Sequence, residues 1–175
     1  MMARWFGLGL IGLCLATGAA SQQAVSTASA SATAFERFLK SSTPICQKQP
    51  SARCVDAGWR YADTDRDGSL SLAELQAVHQ AGKDWFAWKG DSLPAQERAS
   101  VSLALAMIEG MGVDRLMQGY DTDGDGRLSR AEALVDVHLD ERPLGDVLRD
   151  PNGLDRQATA RRLGIMAPLF SQLFR

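Results

Sequence analysis

The sequence has little of what a nucleic-acid-binding or zinc protein needs. Its 175 residues include only two histidines and three cysteines, and the formal net charge is −2. This near balance of charge argues against a nucleic-acid partner, whose binding normally requires a basic face. Neither His79 nor His138 has a partner at metal-ligand spacing. We therefore interpret them as ordinary helix residues rather than as a second metal site or a pH switch.

The common catalytic motifs are also missing. The sequence contains no nucleophile elbow, no H-E-x-x-H, no P-loop and no Cys/His pair in a suitable context. A G-x-G-x-x-G pattern occurs at residues 7–12, but it lies within an apolar N-terminal segment instead of joining a strand to a helix. No catalytic residue and no organic cofactor is predicted.

No apolar run is long enough to cross a bilayer. Residues 5–15 are uncharged and apolar, but a spanning helix needs about 20 such residues. Arg4 precedes this run and small residues come after it, which is typical of a secretory signal peptide. We predict a signal peptide at residues 1–20, cleavage near residues 19–21, and a secreted or periplasmic protein. An uncleaved N-terminal membrane anchor is the alternative.

The segment after the predicted signal peptide is rich in Ala, Ser and Thr. Residues 21–34 contain no aromatic and no charged residue, a composition that predicts a flexible tether. Alanine would favour a helix, but serine and threonine oppose it. The remaining residues, 35–175, are predicted to form one domain.

Two cysteines remain after the predicted cleavage. Cys46 and Cys54 form an even pair, and such a pair in an exported protein indicates a disulfide bond. Two free buried thiols are the alternative if the protein is not exported.

One 12-residue pattern occurs twice, and it dominates the chemistry of the sequence. Acidic residues occupy positions 1, 3 and 5, glycine occupies position 6, and glutamate closes the window. The candidate metal ligands are Asp63, Asp65, Asp67, Ser69, Ser71 and Glu74 in the first copy, and Asp121, Asp123, Asp125, Arg127, Ser129 and Glu132 in the second.

This spacing suits a hard divalent cation, which takes about six to eight oxygen ligands at about 2.3–2.6 Å. Gly68 and Gly126 permit the sharp turn that brings alternating carboxylates to one point. Arg127 would supply its backbone carbonyl, with its side chain facing water. The alternative is a pair of solvated acidic turns, because Asp and Gly also favour turns.

The two loops resemble those of the EF-hand, or calmodulin-like, calcium-binding superfamily. The resemblance implies two bound Ca²⁺ ions and paired hands whose loops meet through Leu70 and Leu128. It also implies an apolar groove that would receive a protein target. The basic, apolar C-terminal helix is either a ligand of that groove or a constitutive core helix. Asp136 departs from the family pattern, because that position is usually apolar.

The expected fold is all-α, with hands at about residues 52–82 and 111–140. Helices enter the loops through Trp59 and Met117 and leave them through Leu75 and Leu134. The chain between the loops is longer than two helices need, so an extra helix beginning near Pro94 is predicted. A further helix is expected from about residue 155 to the C-terminus.

Trp85, Phe86 and Trp88 cluster in the insertion. They are either core residues beneath the extra helix or an exposed patch for a target or membrane.

These features predict an extracytoplasmic calcium sensor or buffer. A calcium-stabilised interaction or adaptor protein of the cell envelope, with no switching role, is the alternative. An enzyme with a structural calcium ion is a third hypothesis, and no motif supports it.

Overall fold

The computed structural model describes residues 16–164, and it describes side chains from residue 30 onward except that of Leu163. Most of the predicted signal peptide and the apolar C-terminal stretch at 165–175 lie outside these residues. The elements are α1 (Ala16–Lys48), α2 (Ser51–Ala62), β1 (Ser69–Ser71), α3 (Leu72–Lys89), a short 3-10 helix (Gly90–Ser92), α4 (Ala95–Met111), α5 (Val113–Tyr120), β2 (Arg127–Ser129), α6 (Arg130–Ala133), α7 (Leu144–Arg149) and α8 (Arg156–Leu163).

Over the described residues the fold is all-α, apart from one very small sheet, as predicted. Among the described residues, no helix combines the length and the apolar character that crossing a membrane would demand.

The first hand consists of α2, the first loop and α3. Pro50 immediately precedes α2, where its fixed φ is compatible with entry into a helix. Ser71 begins α3 by accepting a hydrogen bond from the backbone N–H of Glu74, while the Glu74 side chain accepts one from the Ser71 N–H. This capping box satisfies N–H groups that the first helical turn leaves free.

The second hand repeats this arrangement with α5, the second loop and α6. Gly112 lies between α4 and α5 with a φ of 87°, a left-handed value that a side chain disfavours. It ends the inserted helix and allows α5 to start at Val113. Ser129 and Glu132 form a capping box equivalent to that of α3.

The two loops are joined by an antiparallel pairing of β1 with β2, in which Leu70 lies opposite Leu128. Both leucines are buried, and they form one core cluster with Ala62 and Met117. Burial of a leucine side chain stabilises the folded chain by about 1.5–3 kcal/mol. The expected loop pairing is therefore confirmed, and residues from both hands form a common core.

The extra helix between the hands is also confirmed. Helix α4 begins after Pro94 and ends at Met111, and it packs against α3 and α5. Glu109 joins it to α3, because its carboxylate lies 3.0 Å from His79 Nε2 and forms an ion pair with Lys83 Nζ, also at 3.0 Å. His79 is a helix residue, as predicted, but the same prediction is wrong for His138, which lies after the end of the exiting helix and whose backbone N–H donates to the Gly153 carbonyl at 2.9 Å.

Residues 21–34 lie in the helix α1 rather than in an unstructured tether. Alanine has the strongest helix propensity, and the same helix continues into an apolar segment that packs along α3. Phe38 stacks on Tyr61 with ring centroids 4.2 Å apart, and Phe35 contacts Trp85 at 6.0 Å. Tertiary packing of this segment outweighs the preference of Ser and Thr for non-helical backbone.

The aromatic residues of the insertion divide between the two interpretations offered for them. Trp85 belongs to the aromatic cluster with Phe35 and its indole N–H donates to Glu36. Phe86 is partly buried, whereas Trp88 is 53% exposed and lies beneath the ammonium group of Lys89.

The predicted disulfide is present. Cys46 and Cys54 are bonded, and the bond ties the end of α1 to α2. In the chain-entropy model a loop of this size contributes about 2.5 kcal/mol to stability.

The helix that leaves the second loop is much shorter than predicted. Helix α6 has 4 residues and ends at Ala133, although apolar residues to Leu139 had suggested a longer helix. Asp136, which is 4% exposed, instead faces Arg162 of α8, with 3.2 Å between carboxylate oxygen and Nε. A buried carboxylate requires such a partner, so the chain turns toward α8. Val137 then forms an isolated bridge with Leu154.

Candidate metal centre

Each loop curls around its first aspartate. The backbone N–H of Gly68 donates to Asp63 Oδ2 at 3.1 Å, and that of Gly126 donates to Asp121 Oδ2 at 3.0 Å. Both glycines have positive φ, 91° and 78° respectively, which glycine adopts without steric cost. The sharp turn predicted at position 6 is therefore present in both loops.

The next carboxylates are fixed by backbone N–H groups two residues further along. Asp65 Oδ1 accepts from the N–H of Asp67 at 3.1 Å, and Asp123 Oδ1 accepts from that of Asp125 at 3.1 Å. Asp67 accepts in turn from the Ser69 N–H at 2.9 Å. Such turns leave the second oxygen of each carboxylate available for other contacts.

The closing glutamates are held by the residues at positions 2 and 9. Glu74 Oε1 accepts from the N–H and hydroxyl of Thr64 at 2.7 and 3.0 Å, and its Oε2 accepts from the Ser71 hydroxyl at 2.8 Å. Glu132 has the same bonds to Thr122 and Ser129, at 2.7, 3.0 and 2.7 Å.

These hydrogen bonds favour the ionised carboxylates. The backbone N–H of Ser71 is the largest cause that lowers the pKa of Glu74 to about 2, and that of Ser129 has the same effect on Glu132, whose pKa is also lowered to about 2. Both glutamates are thus available as anions well below neutral pH.

Carboxylate oxygens converge in each loop. Asp63, Asp65 and Asp67 each place an oxygen within 4.8 Å of the others, and Asp121, Asp123 and Glu132 do so in the second loop. Ligand oxygens at about 2.4 Å from one calcium ion would be separated by distances of this order. Glu74 and Asp125, also predicted as ligands, lie outside these two groups. The other predicted ligands are Ser69 and Arg127 at position 7 and Ser71 and Ser129 at position 9.

One buried atom in the first loop indicates that a cation fits there. Asp63 is 8% exposed, and its Oδ1 is buried without a hydrogen-bond partner among the described residues. A buried unpaired carboxylate oxygen is costly, and a metal ion at the centre of the loop would satisfy it. The donor set consists of carboxylate, hydroxyl and carbonyl oxygens, as calcium prefers.

The side chain of Arg127 was predicted to face water, but it also contacts the first loop. Its guanidinium contacts Asp67 and lies 3.7 Å from Asp65, both of the first loop. The antiparallel pairing brings the two loops side by side, with Arg127 opposite Ser71. Asp67 has a lowered pKa, chiefly because of the Ser69 backbone N–H and secondly because of Arg127.

The family model for the EF hand matches the chain at residues 60–79 and 113–132. The chain contains two EF-hands. Each match covers residues of the entering helix, a complete loop and the start of the exiting helix. The two EF-hand motifs, together with the two groups of converging carboxylates, suggest that the protein binds calcium. No curated protein and no solved structure matches the chain.

Two residues of these EF-hands were not singled out from the sequence. Thr64 and Thr122 both occupy position 2 and donate to the closing glutamate of their own loop. Both copies of the loop have threonine at position 2, and this was the available signal. The EF-hand loop pattern, however, does not require a particular residue type at that position.

Proposed function

We propose that the protein is a non-enzymatic, extracytoplasmic calcium-binding protein that takes up one ion in each EF-hand and acts as a sensor or a buffer. The observation that carries this proposal is the convergence of carboxylate oxygens in both loops. The buried Oδ1 of Asp63, which has no hydrogen-bond partner within the part of the chain that the structure describes, supports it independently.

The ligand types favour calcium over magnesium. Each loop offers three aspartates and a closing glutamate, and a glutamate that binds through both oxygens serves the expanded shell of calcium. Magnesium is smaller and demands near-ideal octahedral geometry.

The extracytoplasmic location is supported by two features of the chain. The N-terminal pattern is typical of a secretory signal peptide. The bond between Cys46 and Cys54 is of a kind that persists in oxidising compartments and is rare in the cytosol.

A second candidate function is a calcium-stabilised adaptor that does not switch. The packing of α1 favours it, because Phe35 and Phe38 contact Tyr61 of α2 and Phe35 also contacts Trp85 of α3. A sensor of the EF-hand type opens its two helices to expose apolar surface. Helix α1 lies against both helices of the first hand and would oppose such opening.

Calcium titration by calorimetry tests the binding proposal. We expect two ions per chain in the unmodified protein, one in Glu74→Gln or Glu132→Gln, and none bound specifically in the double variant. Glutamine still caps a helix at this position, so these changes remove the charged ligand and retain the cap. Glu109→Gln, outside both loops, is the matched control and should retain two ions. A stoichiometry other than two in the unmodified protein would contradict the proposal that each EF-hand takes up one ion.

The sensor and the adaptor are separated by a second titration, which follows an apolar-surface dye and circular dichroism together. A sensor gains dye fluorescence on calcium addition with little change in helix content. An adaptor with structural calcium gains helix and does not gain dye fluorescence. A buffer changes neither signal while it still binds the ions.

A further inference from the structure

The first loop receives a positive charge from the second loop. Arg127 belongs to the second loop, where its backbone N–H donates to Asp125 Oδ1 at 2.8 Å. Its guanidinium crosses the paired strands, contacts Asp67 and lies 3.7 Å from Asp65 Oδ2. Asp65 and Asp67 are two of the three aspartates whose oxygens converge in the first loop.

We propose that Arg127 determines the calcium affinity of the first loop, acting as a tethered cation that partly neutralises the empty site and opposes entry of the ion. This inference rests on the proposed function. Arg127 belongs to the second loop, where only its backbone carbonyl is an expected ligand. The proposal gives its side chain a role in the first loop.

The physical basis is competition for the same oxygens. In the empty loop the aspartates repel one another, and the guanidinium offsets part of that repulsion. A calcium ion needs those carboxylates and carries the same sign of charge as the guanidinium. A unit charge about 6 Å from a divalent ion in a water-like dielectric lowers the affinity of that ion about tenfold.

The second loop should not show this effect. Its expected ligand from Arg127 is the backbone carbonyl, as is usual at position 7 of an EF-hand loop. Replacing the side chain leaves that carbonyl in place. The side chain of Arg127 thus acts on one loop while its backbone serves the other.

Calorimetric titration of Arg127→Gln tests the proposal, with one loop disabled at a time. In the Glu132→Gln background, calcium should bind the first loop about tenfold more tightly than it does when Arg127 is present. In the Glu74→Gln background, the affinity of the second loop should change by less than about twofold. Added salt should reduce the gain at the first loop, because it screens the charge of a partly exposed guanidinium.

Two further variants separate charge from structure. Arg127→Lys keeps the charge and should keep the first loop close to its original affinity. Arg130→Gln is the matched control, because Arg130 also bridges the hands, but through Asp56 of α2 at 2.6 Å. It should lower stability without tightening the first loop. Asp123→Asn offers an independent way to disable the second loop if Glu132→Gln disturbs folding.

An unchanged or weaker affinity of the first loop in folded Arg127→Gln would overturn the proposal, and so would an equal gain in Arg130→Gln. Absence of calcium binding in the unmodified protein would instead defeat the proposed function, and this inference with it. Circular dichroism of each calcium-free variant establishes that it is folded.

Discussion

The two EF-hands share nearly the same hydrogen bonds within their loops, yet they differ in their surroundings. In the first loop Asp63 and Glu74 are 8% and 7% exposed, whereas the equivalent Asp121 and Glu132 are only partly buried. Position 4 is Arg66 with a φ of 60° in the first loop and Gly124 with a φ of 74° in the second. The first loop thus has two buried carboxylates and an arginine in a left-handed backbone conformation. The second loop has more exposed carboxylates and a glycine at that position.

The supports outside the loops differ as well. The first hand continues into α3, which has 18 residues, and is covered by α1, itself held by the disulfide. In the second hand, the helix that leaves the loop, α6, has only 4 residues. This hand depends on the contact of Asp136 with α8. The loop pattern therefore specifies the ion cage, while each hand obtains its stability from different contacts elsewhere.

Acid should produce the largest effect, because it acts on both loops at once. The pKa values of Glu74 and Glu132 are lowered to about 2 from 4.5. A carboxyl group whose pKa is lower in the folded than in the unfolded state stabilises the fold at pH values above its unfolded-state pKa. This contribution is lost as the pH falls from about 4.5 toward 2. Urea unfolding without calcium should show it. Glu74→Gln and Glu132→Gln should flatten this pH dependence to a similar extent, because both pKa values are lowered to about 2, and a markedly larger effect of one variant would show that the two loops differ in this respect as well.

Removing the support of the second hand should have the next largest effect. Arg162→Ala leaves the buried carboxylate of Asp136 without its cation, and breaking such a pair costs about 3 kcal/mol. Calcium-free urea unfolding measures this loss. Arg161→Ala, an exposed neighbour on the same helix, should change stability by less than about 0.5 kcal/mol. Equal midpoints for the two variants would show that α8 does not support the hand.

The smallest effect is expected from exchanging the residues at position 4. Arg66→Gly should stabilise the calcium-free protein by about 1 kcal/mol, because a left-handed backbone is costly for residues other than glycine. Gly124→Ala should destabilise it by a similar amount. Thermal unfolding of both variants measures the difference. A loss of stability in Arg66→Gly would mean that the Arg66 side chain contributes more than its backbone costs.

Much of the fold was predictable because local sequence determines it. The glycine and aspartate spacing fixes each loop, the apolar faces around Trp59 and Met117 identify the entering helices, and Pro94 and Gly112 bound the inserted helix. Leu70 and Leu128 occupy the position at which paired loops meet. The pairing through Leu70 and Leu128 followed from the resemblance to EF-hand proteins, whereas each of the other features depends on residues close together in the chain.

The features that the sequence did not reveal depend on residues far apart in the chain. The contact of Arg127 with Asp67 requires the register of the strands, since a shift by one residue would turn its side chain to the other face. The early end of α6 requires Arg162 to meet Asp136. The helical form of residues 21–34 accompanies the packing of the later part of α1 on α3, which composition alone does not predict.

Asp136 also determines how small a folded fragment of this protein can be. Two paired hands alone would suggest cutting the chain soon after the second loop, near Leu139. Such a fragment would lose both Arg162 and Thr159, the latter within 3.2 Å of the Asp136 carboxylate, and with them the contacts that hold the chain after α6. A fragment that keeps the native contacts of the second hand therefore extends at least to Arg162 and includes most of α8.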